Sequence, residues 1–411
     1  MTESTKYWLW LTLAYGPANS RKWNFLSHYS SVREAYDHVS SGDFTNVLPQ
    51  DKRPMELATP QKVEELISEC EKNRITIYSY DDPEFPDRLR EIYNPPSVIF
   101  TLGRLDAIDE TVIITSVGTR KPDDYSRAIA SRLIRELAQA GVTIASGCAS
   151  GLDSVSLVSA IKGGGKVYTV MPCGLLSDYP KNSASMKKAV AAHGAVISEY
   201  LPHSGTTSLN FRLRNRILSA IGLGTLILQA GATSGSLSTA NFALSQGKDI
   251  FCIPPHNLYD DSYSGVILLL RDGAIPVFDS RDILNEYYSV YAHRLNYGAD
   301  IFSQRSESGL FGKNRKVDSE SEPEKVIRKK PRPEPKEEEM AEQPIEPRPA
   351  PDLSGLSDGR RKIVEFILSH GVVLFDEIAE NIDGTVDLET ALTELELDGI
   401  IRSLSGNRYT V

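Results

Sequence analysis

From residue 111 onward, short runs of consecutive apolar residues alternate with longer stretches whose apolar side chains recur every three or four positions. The runs at 112–117, 142–146, 166–171, 195–199, 225–229 and 249–253 are short and almost uniformly apolar, which fits strands covered on both faces. Helical spacing marks the segments between and after them: 124–140, 153–161, 184–192, 211–221, 236–245 and 264–270. Strand and helix in alternation predict an α/β fold, a mostly parallel sheet with helices on both faces. Right-handed crossovers make it doubly wound.

Outside this block the pattern changes. Trp8, Leu11, Leu13, Trp23, Phe25 and Leu26 fall at helical spacing between turns at Gly16-Pro17 and Ser30-Ser31, and predict a small helical core. A helix over 61–73 leads into a strand at 75–78, and prolines 83, 86, 95 and 96 punctuate the approach to a strand at 98–100. Between about 303 and 351, mixed charge and proline replace apolar side chains; such a segment cannot offset its ordering entropy and reads as a disordered linker. Periodicity returns at 361–369, 374–382 and 387–398, with short β segments at 400–403 and 407–411. That order is the one expected of a winged helix.

A chain of 411 residues exceeds one typical core and suggests two or three domains. Lys and Arg number 45 against 55 Asp and Glu, a net charge of -10. Global charge therefore excludes a generally basic nucleic-acid binder, and any polyanion site has to be a local patch. Cys70, Cys148, Cys173 and Cys252 lack metal-ligand spacing and read as buried thiols in a reducing cytosol. The apolar run Tyr7-Trp8-Leu9-Trp10-Leu11 is too short to span a bilayer. The expectation is a soluble cytoplasmic protein without a metal or cofactor.

Candidate chemistry gathers where predicted strands end. Gly118-Thr119-Arg120-Lys121-Pro122 opens a helix after the first strand. Glycine permits close approach, the helix amino end offers free N–H groups, and Arg120 forks onto phosphate oxygens beside the point charge of Lys121. Ser146-Gly147 through Gly151-Leu152-Asp153 supplies a second such loop, in which Asp153 reads equally well as a helix N-cap. Phe211-Arg212-Leu213-Arg214-Asn215-Arg216 places an aromatic beside three guanidiniums, with Arg212 and Arg216 on one helical face and Arg214 elsewhere. Base stacking plus phosphate neutralisation is what a single-stranded nucleic-acid groove needs. Ser234-Gly235-Ser236 opens a further helix and offers hydroxyls and amides. No triad, paired carboxylates or metal-ligand cluster is visible, and the chain reads as a binding protein, not an enzyme.

Taken together these residues resemble the DNA-processing protein A family (DprA, also called Smf). Its Gly-Ser-Arg loop corresponds to Gly118-Thr119-Arg120, its Ser-Gly-x-Ala-x-Gly-Ile-Asp loop to 146–153, and its Phe-x-x-Arg-Asn-Arg-Ile helix to Phe211, Arg214, Asn215, Arg216 and Ile217. Its Ser-Gly-Ser-Leu-x-Thr-Ala element stands at 234–240. The resemblance implies a SAM- or helix-hairpin-helix-like amino-terminal domain (1–75), a Rossmann-like domain (76–300), the charged linker (301–353) and a winged helix (354–411). It implies single-stranded DNA binding without catalysis, a homodimer through the Rossmann-like domain, and loading of RecA recombinase during natural transformation or recombination. The sequence departs from the family pattern at Ser150, Leu157, Pro255 and Ile267, where an arginine, a histidine, a glycine and an asparagine are usual. A sensor of a nucleotide-derived ligand, or a nucleotide ribohydrolase resembling the cytokinin-activating LOG group, remain the alternatives. Glu199 is the one carboxylate near a strand end suited to the latter. The segment 387–398 has no basic residue, so the winged helix is expected to contact protein, not duplex DNA.

Overall fold

The computed structural model describes residues 2–106, 108–180, 184–296 and most of 356–411. These fall into two units, one before and one after residue 316. The segment expected to be a linker, and most of the one expected to be a helix at 374–382, lie outside the described residues.

In the first unit, helices α1 (Thr5–Tyr15), α2 (Arg21–Leu26), α3 (Val32–Ser40), α4 (Pro49–Leu57) and α5 (Pro60–Lys72) precede the sheet. Helix α1 is apolar almost all round, because α3, α4 and α5 pack on it while it lies against β1 (Thr76–Ser79) and β2 (Val98–Gly103). Thr5 and Thr12 place their hydroxyls 3.1 and 2.9 Å from those of Ser79 and Ser97. Trp8, Leu11 and Phe25 are buried as expected, while Leu13, Trp23 and Leu26 are partly buried. This apolar set does not close on itself: it is continuous with one face of the sheet.

The sheet has nine strands. A short helix α6 (Asp87–Arg90) links β1 to β2, and β3 (Ile113–Val117), β4 (Thr143–Ser146), β5 (Val167–Met171), β6 (Gly194–Ser198), β7 (Gly224–Ile227), β8 (Asp249–Cys252) and β9 (Ile275–Pro276) follow. Their spatial order is β1-β2-β6-β5-β4-β3-β7-β8-β9. From β6 to β9 all pairings are parallel, while β2 runs antiparallel to β6 and β1 to β2. Every residue of β3, β4 and β5 is buried, which is why these strands read as unbroken apolar runs. The crossovers are α7 (Asp124–Gln139), α8 (Leu152–Lys162), α9 (Ala184–His193), α10 (Ser208–Ile221) and α11 (Gly235–Ser245), with α12 (Ser264–Arg271) and α13 (Ser280–Tyr291) closing the unit. This is the Rossmann-like α/β architecture, and its predicted elements lie within a few residues of the observed ones.

The chain steps outward from β3 through β6 and returns to place β7 on the other side of β3, with Val117 opposite Ile227. Loops leaving β3 and β7 therefore part in opposite directions, and a crevice opens at their carboxyl ends.

In the second unit, helices Asp358–His370 and Leu388–Leu397 accompany a three-stranded antiparallel sheet in the order Val373–Leu374, Arg408–Thr410, Arg402–Leu404. Ile363, Ile367, Leu392 and Leu395 form its core. The arrangement is a winged helix, with Leu374 in a strand where the periodicity predicted a helix start. Among the described residues, no helix is long and apolar enough to cross a membrane.

Candidate nucleic-acid interface

Three of the loops singled out in the sequence meet at the carboxyl rim of the sheet. Thr119 donates its N–H to the Gln229 carbonyl (2.9 Å) and accepts the Leu152 N–H (3.2 Å), tying the turn after β3 to those after β7 and β4. Gly151 packs so closely on the first turn that a Cβ there would lie 2.4 Å from the Thr119 carbonyl oxygen. Its φ of 86° is also one that only glycine adopts freely. Gly151, not Asp153, is the N-cap of α8.

On the open side of this junction Arg120 and Lys121 are exposed, with Gly118 and Thr119 half-buried behind them. The Arg120 guanidinium lies 5.5 Å from the centroid of the Phe211 ring, near the start of α10. Tyr179, on the loop after β5, packs edge-on against the same ring at 5.2 Å and 82°. A cation and two aromatics so arranged offer both a phosphate contact and a stacking surface. Arg212, one residue further, is half-buried.

The inner side of α10 is different. Arg214 and Arg216 are buried, 5% and 4% exposed, with their guanidiniums on protein partners. Arg214 donates to the carbonyls of Gly147 (2.9 Å) and Val170 and to Asn215 Oδ1 (3.1 Å), so it pins α10 to the loop after β4. A Cβ on Gly147 would meet Asp153 Oδ2 at 2.7 Å and Arg214 Nη2 at 2.9 Å. Burial pushes the Asp153 carboxyl up to about 6, against the pull of Arg214 and the Ala149 N–H. Arg216 pairs with Glu199, whose other oxygen takes the Ala18 N–H at 3.0 Å and lies 3.6 Å from Lys22 Nζ. Burial raises the Glu199 carboxyl, yet Arg216 and Lys22 outweigh it and hold the group below its ordinary range. Burial lowers Lys22 to about 8 despite Glu199. The shared helical face expected of Arg212 and Arg216 is thus divided, because a carboxylate distant in sequence draws Arg216 inward.

The loop after β7 completes the rim. Ser234 caps α11 through Ser236 N–H, and the two hydroxyls lie 2.7 Å apart. Gly235 is exposed, with nothing within 4 Å of where a Cβ would stand. A family model described as DNA recombination-mediator protein A matches residues 76–288. The chain belongs to the DNA-processing protein A (DprA/Smf) family. It is 32% identical over 225 residues to "DNA processing protein DprA" of Bacillus subtilis strain 168, covering 55% of this chain and 75% of that one. It is likewise 32% identical over 207 residues to "Protein Smf" of a Synechocystis species, covering 50% of this chain and 52% of that one. Among solved structures, DprA of Streptococcus pneumoniae superposes with a TM-score of 0.59 at 25% identity, covering 68% of this chain and 97% of that one.

The departures from the DprA pattern sit in distinct surroundings. Ser150 is exposed at the tip of its loop. Leu157 is fully buried in the core on the inner face of α8, an apolar setting that a histidine would have to leave or fill with a partner. Pro255, just past the end of β8, and Ile267, in the middle of α12, are half-buried. Nearby, Asp123 caps α7 and accepts Tyr263 OH (2.7 Å) and Gln229 Nε2 (3.1 Å), with His256 Nδ1 at 3.9 Å. With Asp260 these form a set of metal-ligand types within 4.8 Å of one another. Asp123 Oδ2 already holds two hydrogen bonds, which leaves it a poor primary ligand. Two further residues of the rim escaped the sequence reading: Tyr179, and Lys187 of α9, whose Nζ donates to the Ser177 carbonyl at 2.7 Å.

Proposed function

We propose that this DprA/Smf protein binds single-stranded DNA along the carboxyl rim of its Rossmann-like domain, without catalysis. One observation carries the reading: Arg120 stands over Phe211 at the junction of the glycine-bearing loops, joining a solvent-facing cation to a stacking ring. Gly118, Thr119, Arg120, Lys121, Phe211 and Arg212 form the contact surface, with Gly151 beside them and Ser234 and Gly235 extending it. Ser146, Gly147 and Ser236, expected at the surface, are buried behind it, the Ser146 hydroxyl bonded to the Ser116 carbonyl. Arg214, Asn215 and Arg216 act from behind as positioning residues.

The role inferred is that of a cytoplasmic recombination mediator that delivers RecA recombinase to the strand. A homodimer through the Rossmann-like domain is supported by the β9 edge, near which Phe278 is 75% exposed and Leu268 48%. The carboxy-terminal winged helix is read as a protein-contact module. The ribohydrolase reading loses support because Glu199, its one candidate acid, is buried, paired and held ionised. Anisotropy titrations of labelled single- and double-stranded oligonucleotides across salt test the proposal. Preferential single-strand binding that weakens steeply with salt is expected; no binding at low salt overturns it. RecA nucleation on coated strands, with and without the protein, tests the mediator role.

A further inference from the structure

We propose that the groove along the flank of α9 is a second stretch of the polynucleotide site, a phosphate track that receives the strand as it leaves the rim. The inference rests on the single-strand reading above and names where the rest of the ligand runs.

The groove, about 530 Å³, is lined by Arg74, Lys187 and Lys188 over an apolar floor that includes Leu102 and Ala191. Among the described residues no carboxylate lines it, on a protein whose net charge is -10. Arg74 and Lys188 are exposed, and neither is ion-paired among the described residues. The neighbouring groove shares Asn73 but sets Glu64, Glu65 and Glu69 against Lys72 and His203, a lining that is negative on balance. A polyanion crossing this face is therefore repelled on one side of Asn73 and held on the other.

The track is continuous with the rim. Lys187 reaches the Ser177 carbonyl, two residues before Tyr179, and Tyr179 packs on Phe211 beneath Arg120. Lys187 and Lys188, at the middle of α9, thus stand between the loop that carries the platform and Arg74 on the groove's other wall; the ten residues of the helix span about 15 Å. An anion that repeats its charge along a chain uses such a file of cations, and the small apolar floor leaves room for sugars and bases. An acidic peptide shares the charge, but nothing in it uses the adjoining stacking surface.

The test compares the double variant Arg74→Gln/Lys188→Gln with Arg120→Ala, using oligonucleotides of about 4 and about 16 nucleotides, the span of single-strand site sizes. Both substituted groups are exposed, and thermal unfolding checks that the fold is kept. The double variant is expected to bind the short oligonucleotide as the parent does. For the long one, affinity falls roughly tenfold at low salt, and the slope of log K against log salt drops by about 1.4, or 0.7 for each phosphate no longer neutralised. Arg120→Ala weakens both lengths. Unchanged affinity and slope for the long oligonucleotide overturn the track while the rim site stands. If Arg120→Ala also changes nothing, the rim reading fails and the track with it. Loss of poly-glutamate binding alone would assign the groove to an acidic peptide and refute the proposal.

Discussion

Arg120 and Phe211 lie 91 positions apart in the sequence, yet the guanidinium of one stands 5.5 Å from the ring centroid of the other. The pairing depends on three ties: two backbone hydrogen bonds fix the turn after β3 to the loops after β4 and β7, and the Arg214 side chain holds α10 against the loop after β4. Positioned in advance, the ring and the cation lose little freedom when a base and its phosphate arrive.

Phe211→Ala is expected to weaken single-stranded DNA binding by roughly 5- to 150-fold, the worth of about 1–3 kcal/mol per stacked base. Its salt slope stays unchanged, because no charge is removed. Arg120→Ala instead lowers the slope by about 0.7. Arg120→Lys keeps the slope but not the full affinity, since an ammonium lacks the planar face. Equal slopes in Phe211→Ala and Arg120→Ala would contradict this division of roles.

The buried Lys22–Glu199–Arg216 group predicts an asymmetric stability pattern. Two cations share one carboxylate, and Lys22 Nζ has no hydrogen-bond partner among the described residues. Glu199→Gln leaves both cations unpaired and is expected to cost about 3–5 kcal/mol. Lys22→Met leaves a neutral Glu199–Arg216 pair and is expected to be nearly neutral or stabilising. Because the folded Lys22 sits near 8, below its unfolded value, its charging opposes folding at lower pH. That cost is relieved as pH rises from about 8 toward 10.4. Denaturant melts from pH 7 to 10 should show the rise in the parent and not in Lys22→Met.

Gly151 and Gly235 separate backbone need from ligand approach. Gly151→Ala puts a Cβ 2.4 Å from Thr119 O at a φ of 86°. It should destabilise by more than about 1–2 kcal/mol and push the two loops apart. Gly235→Ala meets nothing within 4 Å and should leave stability unchanged. If DNA approaches the α11 amino end closely, that variant nevertheless loses affinity. Unaltered binding in Gly235→Ala removes this loop from the interface.

Much of this was legible in the sequence because burial on both faces leaves an unmistakable apolar run, as in β3 and β5. The two-residue β9 left no such mark, and the antiparallel addition of β1 and β2 is set by their place in space, not by their composition. The rim glycines were legible because close backbone approach excludes other residues. The inward turn of Arg214 and Arg216 was not, since the groups that draw them, Gly147, Val170 and Glu199, are brought near only by the crossovers. Tyr179 was missed for a similar reason. An aromatic on a loop that leaves a parallel strand at the ligand-binding rim was the available signal.

Asp153 supplies a pH prediction that belongs to the site. Its carboxyl is buried beside Gly147 and raised to about 6, chiefly by burial, with Arg214, the Ala149 N–H, Ser146 and Arg120 pulling the other way. Above that value the group is negative behind a loop meant to receive phosphate. As pH falls through about 6 it takes a proton that the unfolded chain, near 3.9, holds less tightly. Protonation therefore stabilises the fold between about 6 and 4 and removes a repulsive charge from behind the loop. Single-stranded DNA affinity should rise on the order of a few-fold from pH 7.5 to 5.5 at constant salt, a modest gain because the charge is set back from the surface. Asp153→Asn mimics the protonated carboxyl in charge and should bind at pH 7.5 about as tightly as the parent binds at pH 5.5, with a flat profile. A variant whose affinity still climbs in parallel with the parent's would place the titrating group elsewhere.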